Sequence, residues 1–294
     1  MRNRNNTENI YKESNKALNF LYGNFLGRLI LKLLIGKSIT KLIGKYYSSK
    51  KSIKKIEPFI KENNIDMSEY PLVKYTSFND FFTRKILLGK RIVDINKDAF
   101  ISPCDSKLSI YDINENLCMR IKDAYYSVDT LVNKDIVKEY IGGKALVFRL
   151  DVSDYHRYCY IDSGYHEKIV KINGVFHTVQ PIALKKYNFY KTNSREYTVL
   201  YTQNYGKIIE VEIGAFGVGK VVNHFEHHEF KKGEEKGYFK YGGSTIVLLV
   251  KKDIILFDED ILNNSKDGIE TIVKYGMKIG VKIGWFLRTV MVLF

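Results

Sequence analysis

The chain has 294 residues, with 47 lysines and arginines against 33 acidic residues, a formal net charge of +14, and 45% hydrophobic residues. That length and apolar content suit one domain, or one domain with an appended segment, and the charge points to a polyanionic partner. Cys104, Cys118 and Cys159 fit neither a disulfide framework nor a CxxC metal pattern, so a reducing compartment and no structural zinc are expected.

Residues 1–6 are polar and lead into no apolar run of signal-peptide type, so export is not expected. Residues 1–60 hold thirteen lysines and arginines against Glu8, Glu13 and Glu57, which concentrates the positive excess in the first fifth of the chain. From about Lys16 the pattern reads as an amphipathic helix with Leu18, Leu21, Tyr22, Phe25, Leu29 and Leu33 on one side. Arg28 and Lys32 interrupt the apolar run, which speaks against a membrane-spanning helix and for one lying in the interface. A second basic, partly apolar segment follows at residues 42–60, where each lysine or arginine adds roughly 1 kcal/mol of attraction to an anionic bilayer. With no RNP motif, zinc finger or helix-turn-helix reader in the chain, an anionic phospholipid bilayer is the expected partner and nucleic acid is not. The competing reading is a helical arm packed on its own domain with a solvated basic face.

Phe78-Asn79-Asp80-Phe81-Phe82-Thr83-Arg84-Lys85 is aromatic-rich and is expected to dock the arm on the core. From about Ile92 to Phe257 the chain becomes a series of short β-rich runs broken by Gly, Asn and Asp, with strands expected at 145–150, 168–172, 198–201, 208–213 and 245–250. No βαβ rhythm and no GxGxxG fingerprint appears, so a doubly wound nucleotide-binding sheet is disfavoured. The expected fold class is α+β, a mostly antiparallel β core with an amphipathic helical N-terminal arm. The arm takes 1–70 and the core domain 71–294.

Chemistry is expected where Tyr241-Gly242-Gly243-Ser244-Thr245 runs into the apolar strand 246–250. Two glycines free the backbone, and the Ser244 hydroxyl sits just beyond the Gly243 carbonyl, where it either marks a plain turn or attacks the peptide bond in front of it. Attack needs a base. His156, in Asp154-Tyr155-His156-Arg157-Tyr158-Cys159, has a side chain that exchanges protons near neutrality, and Asp105, in Ser102-Pro103-Cys104-Asp105-Ser106-Lys107, would orient its ring. His224-Phe225-Glu226-His227-His228 lacks the HExxH spacing and reads as a solvated charged loop rather than a metal site.

Together these stretches resemble the pyruvoyl-dependent phosphatidylserine decarboxylases. The resemblance rests on Phe78–Lys85, Ser102–Lys107, Asp154–Arg157, Val179-Gln180-Pro181 and above all Lys232-Gly233-Glu234-Glu235-Lys236-Gly237-Tyr238-Phe239-Lys240-Tyr241-Gly242-Gly243-Ser244-Thr245, and it covers most of residues 70–280. It implies a proenzyme that cuts itself between Gly243 and Ser244, with the two chains staying associated. Ser244 would attack the Gly243 carbonyl, the resulting ester would eliminate the 1–243 chain, and loss of nitrogen would leave a covalent pyruvoyl group as the only cofactor, without metal. That ketone would condense with the amine of phosphatidylserine and accept the electrons left by carbon dioxide. His156 would then return a proton and phosphatidylethanolamine would leave. The resemblance further implies a peripheral protein on the cytoplasmic face of the cell membrane, and it leaves a homo-oligomer open.

The chain departs from the family pattern at Cys159, where the second histidine of His-x-x-His is usual, at Ser106 in place of glycine, and at His177 and Gln180 in place of tyrosine and asparagine. Either His156 takes both proton-transfer roles, or His177 reaches the serine, or Cys159 acts as base, or cleavage is impaired. A noncatalytic lipid-binding relative that does not process is therefore the rival reading, beside the same chemistry on another serine-headed lipid or an amino acid. The apolar tail, 283–294, reads equally as a second membrane contact and as an element packed on the core.

Overall fold

The computed structural model describes residues 7–9, 16–116, 118–121, 124–128, 131–132, 134–175, 177, 193–214, 220–242 and 244–284. The apolar run after Ser244 becomes the strand Ser244–Val250, buried at every position. A strand with two buried faces belongs in the middle of a sheet, and this one lies between Lys144–Leu150 and Gly206–Gly214, antiparallel to both. The sheet runs, edge to edge, through Thr7–Asn9, Ile269–Val273, Ser106–Asp112, Lys144–Leu150, Ser244–Val250, Gly206–Gly214, Arg195–Thr202, Gly164–Ile172 and His228–Phe230. Antiparallel sheets joined to a few helices make the architecture α+β.

Register divides the chemistry between the two faces. Residues directly opposite each other in an antiparallel pair share a face, and alternate residues along a strand change face. Ser244 faces Leu150 and Gly214, Ile246 faces Phe148 and Glu212, and Leu248 faces Leu146 and Glu210. This face is covered by two three-stranded sheets, one of Val221–Asn223, Glu235–Phe239 and Arg157–Cys159, the other of Ile255–Phe257, Lys278–Lys282 and Ala99–Ile101. Phe100, Tyr158, Phe239, Ile246 and Leu248 join in one buried cluster between these layers. On the opposite face Val147, Val211, Ile213, Val247 and Leu249 pack with Tyr22, Leu31 and Ile35 from the N-terminal helices.

The helix expected from Lys16 is divided into Lys16–Gly23 and Phe25–Leu34, followed by Lys37–Tyr47. Asn24 ends the first and begins the second, its side-chain oxygen accepting the Gly27 N–H at 2.7 Å as an N-cap does. The break turns the expected stripe: Tyr22 is buried while Phe25 and Leu29 are exposed. Among the described residues no helix is long and apolar enough to cross a membrane.

Phe78–Phe82 forms a one-turn helix capped by Ser77, whose side chain accepts the Asp80 N–H. Its three phenylalanines pack with Tyr47, Ile56, Phe59 and Tyr241. The short aromatic stretch thereby joins the N-terminal segments to the turn that precedes Ser244.

Candidate active site

Ser244 begins its strand, and the approach to it is held from several sides. The Tyr241 N–H donates to the Asn79 side-chain oxygen at 2.9 Å, and the Tyr241 ring lies 4.3 Å from Tyr47, 4.9 Å from Phe78 and 5.2 Å from Phe82, centre to centre. Gly242 has φ of 139°, which a side chain would strain. Gly243, the expected cleavage partner, lies outside the described residues. The Ser244 side chain is fully buried, and among the described residues its Oγ has no hydrogen-bond partner. An unpaired buried hydroxyl is destabilising by about 1–3 kcal/mol, and Ser106, Ser109 and Thr245 carry others.

His156 carries another such atom, one of several among the described residues. Its ring is buried, and Nδ1 lies 2.8 Å from the Asp154 carbonyl oxygen. A carbonyl oxygen only accepts, so Nδ1 holds the proton and Nε2 keeps its lone pair. Nε2 is buried without a hydrogen-bond partner. Burial is the main force on the ring and pushes its pKa down to about 3, against the smaller upward pull of the Asp154 carbonyl. The imidazole is therefore neutral at physiological pH, with the basic nitrogen free. The Phe82 ring packs on it at 4.1 Å and also touches Tyr241, while the His156 carbonyl accepts the Phe239 N–H at 2.9 Å. His156 thus borders the segment that leads into Ser244.

Asp105 is buried, but its carboxylate is engaged elsewhere. Arg91 Nε donates to Oδ1 at 2.9 Å and Arg91 Nη2 to Oδ2 at 2.6 Å; the Tyr275 N–H reaches Oδ1 at 2.9 Å and Lys274 Nζ reaches Oδ2 at 3.2 Å. Burial alone would push this carboxyl up, but Arg91, Lys274 and the Tyr275 N–H outweigh it and hold it below its usual range. The carboxylate–imidazole hydrogen bond expected from sequence is replaced by the Asp154 carbonyl, because charge-assisted bonds to two cations take both Asp105 oxygens. Arg91 also grips Glu69, with Nη1 2.9 Å from Oε1. The Asp154 side chain accepts the Asp151 N–H at 2.7 Å, and burial raises its pKa to about 6.

The two secondary candidates lie apart from this base. Cys159 is fully buried beside Tyr275, and burial pushes its thiol far above the ordinary range, so a thiolate base is disfavoured there. His177 belongs to the opposite face of the sheet. Its Nδ1 lies 3.3 Å from the Tyr22 hydroxyl, and it helps line a cavity of about 300 Å³ with Phe25, Arg28, Leu29 and Lys32. Asn193 ties its backbone to Gly214, donating to the His177 and Gly214 carbonyls at 2.8 and 2.9 Å. Gly214 is the strand partner of Ser244, so Asn193 ties the His177 backbone to the neighbour of the serine strand. Val179-Gln180-Pro181 lies outside the described residues.

Two further features surround the site. Lys236 is buried between Glu210 and Glu212, contacting Glu212 Oε1 and lying 3.2 Å from Glu210 Oε2. Burial pushes both carboxyls up against the pull of the lysine. This cluster sits on the Ser244 face, and the sequence analysis did not single out its glutamates. The histidine-rich loop is engaged with the motif before Ser244: His224 Nε2 lies 2.7 Å from Glu235 and His228 Nε2 lies 2.6 Å from Glu234. Among the described residues no group of three or more His, Cys, Asp or Glu side chains is arranged to hold a metal.

Comparison with known proteins adds independent weight. A family model described as phosphatidylserine decarboxylase matches residues 78–281. A protein of Clostridium acetobutylicum called phosphatidylserine decarboxylase proenzyme 2 is 54% identical over 268 residues, covering 90% of this chain and 92% of the relative. Proteins of Clostridium botulinum and Clostridium tetani called phosphatidylserine decarboxylase proenzyme are 43% and 42% identical, over 91% of this chain in each case and 93% and 92% of the relatives.

Proposed function

Because the chain belongs to the phosphatidylserine decarboxylase family, we propose that it converts Ser244 into a pyruvoyl group and uses that group to decarboxylate phosphatidylserine to phosphatidylethanolamine. The observation that carries the reading is the packing of the buried, neutral His156 ring on Phe82, which in turn packs on Tyr241, so that a ring with an unshared Nε2 borders the turn leading into the buried Ser244. Ser244 begins its strand fully buried, so a base brought to it would meet no competition from water.

The roles follow from the proton inventory. His156 Nε2 takes the Ser244 Oγ proton as Oγ attacks the Gly243 carbonyl, and the Asp154 carbonyl steadies the ring through Nδ1. The peptide bond becomes an ester. Loss of the Ser244 Cα proton with departure of the Gly243 carboxylate then frees the 1–243 chain, and hydrolysis releases the former Ser244 nitrogen as ammonia. The pyruvoyl group so made supplies a conjugated carbonyl that accepts electrons when carbon dioxide leaves. His156 returns a proton to the product carbon. Asp105 anchors the C-terminal chain, since it bonds Lys274 and the Tyr275 N–H while Arg91 bonds it from the N-terminal side.

The same geometry supports continued association of the two chains. Residues 244–284 contribute the central strand Ser244–Val250, the strand Ile269–Val273 paired with Ser106–Asp112, and the strand Lys278–Lys282 between Ile255–Phe257 and Ala99–Ile101. Withdrawing them would open both layers.

Peripheral binding to an anionic membrane at the cytoplasmic face is part of the proposal. Phe25, Leu26, Leu29, Ile30 and Leu42 are exposed on basic helices, a combination suited to the bilayer interface. Purified protein should release carbon dioxide from phosphatidylserine and leave free serine untouched. Release from neither would overturn the proposal, and release from serine would move the substrate to an amino acid.

A further inference from the structure

A second exposed apolar feature lies outside the helical arm and beside His156. Leu72 and Leu88 are each fully solvent-exposed, at 102% and 105% of the reference value, and Val73 and Leu87 are exposed next to them. The loops that carry them leave the protein from one point, because the Leu87 N–H donates to the Glu69 carbonyl at 2.9 Å and Arg91 clamps the Glu69 carboxylate. Gly89, with φ of 83°, turns the second loop back just after its tip. Exposed lysines flank both tips, Lys74 after the first and Lys85 and Lys90 around the second, and they form no ion pair among the described residues.

The roots of these loops are rigid and touch the candidate site. Arg84 lies over the Tyr70 ring at 4.2 Å and over Phe81 at 4.6 Å. The Ile86 N–H meets the hydroxyl of Tyr155, the neighbour of His156, at 3.4 Å. Arg157 donates from Nε to the Thr83 carbonyl at 2.9 Å, and Arg91 joins Glu69 to Asp105. Leucines held fully in water on a braced support, flanked by exposed lysines, match the chemistry of an anionic lipid surface: apolar tips for the acyl region and ammonium groups for the phosphates.

We propose that the Leu72 and Leu88 loops insert together into an anionic bilayer and hold the His156 side of the protein against the lipid surface. This rests on the reading that the substrate is a bilayer lipid. It assigns the orientation of the site to these loops, apart from whatever attraction the basic helices add. The loop roots bond Tyr155 through the Ile86 N–H and Asp105 through Arg91, so insertion there turns this side of the protein toward the lipid.

The test uses the full chain with phosphatidylcholine vesicles containing phosphatidylglycerol, which is anionic and is not decarboxylated. Leu72→Asp with Leu88→Asp should weaken sedimentation with these vesicles by at least about tenfold, since each leucine loses its apolar transfer. Self-cleavage and turnover of a dispersed short-chain phosphatidylserine should stay unchanged, which also verifies folding. In a Trp285→Phe background, Leu88→Trp should shift its emission to the blue on vesicle addition and be quenched by brominated acyl chains. Wild-type binding that the double variant matches, with no quenching of the new tryptophan, overturns the loop assignment and leaves the membrane reading standing. A wild-type protein that ignores the vesicles overturns both. A double variant that changes from dimer to monomer in sedimentation while its vesicle affinity stays intact also overturns the assignment, giving the leucines to a second copy of this chain.

Discussion

The two faces of the central sheet are built from the same strands and do opposite work. Toward the N-terminal helices, Val211, Ile213, Val247 and Leu249 meet Tyr22, Leu31 and Ile35 in an apolar layer. One residue along in each strand, the other face presents Ser244, Glu212 and Glu210, and the layer above it adds His156 and Lys236. A pleated strand lets adjacent residues serve such different environments. The lesson is that the candidate chemistry is confined to one parity, while apolar packing serves both faces, since Phe148, Ile246 and Leu248 are buried on the Ser244 side; substitutions toward the N-terminal helices should therefore affect stability without chemistry.

The reactive face should give the largest effects. Replacing His156 by Gln removes the free Nε2 and should slow self-cleavage by about 10²–10⁴-fold, read as the rate at which fragments appear. An unchanged rate would take His156 out of the mechanism. Lys236→Met leaves two buried glutamates without their cation and should destabilise the fold by about 3–5 kcal/mol in denaturant titration. Adding Glu210→Gln and Glu212→Gln to that variant should restore most of the loss, since the cluster is then uncharged. On the apolar face, Leu31→Ala should lower stability by about 2–5 kcal/mol while leaving the fraction of chain cleaved unchanged at saturation. A cleavage defect in that variant would break the separation of the faces.

Acidity offers the mildest test. The His156 pKa of about 3 lies below the ordinary 6.5 because the ring is buried, so cleavage should hold its rate as pH falls from about 8 to about 5, where an ordinary histidine would lose its basic form. The unfolded chain binds the proton more readily between pH 3 and 6.5. His156 therefore adds a contribution to the unfolding free energy of an uncleavable chain that rises with pH through that window, opposed by the raised carboxyls of Asp154 and Glu212, and the difference between this chain and its His156→Gln variant should itself rise with pH there. A rate falling through the usual histidine range would mean that the ring is solvated when it acts.

Much of this was legible before the structure. The expected strands at 145–150, 208–213 and 245–250 become Lys144–Leu150, Gly206–Gly214 and Ser244–Val250, because β-branched runs between turn residues carry a local signal. The helix from Lys16 was legible in type and not in continuity, since Asn24 competes for the backbone and caps a new helix. The orienting group at His156 was hidden for a physical reason. A carbonyl belongs to every residue, so no side chain announces that the Asp154 oxygen takes the role expected of Asp105. Arg91 was equally silent, its partners Glu69 and Asp105 being set by the fold. The Lys236 cluster was invisible because pairing a lysine at 236 with glutamates at 210 and 212 requires the layer packing itself.

Intact mass of the purified protein beside a Ser244→Ala control tests the central claim most directly. Two chains from the wild type, residues 1–243 and residues 244–294 with the second blocked by a ketone at its start, and one uncut chain from the control, are the predicted result. One uncut chain in both samples, from protein that is folded and binds vesicles, would contradict the account and leave a lipid-binding relative in which Ser244 is an ordinary buried residue.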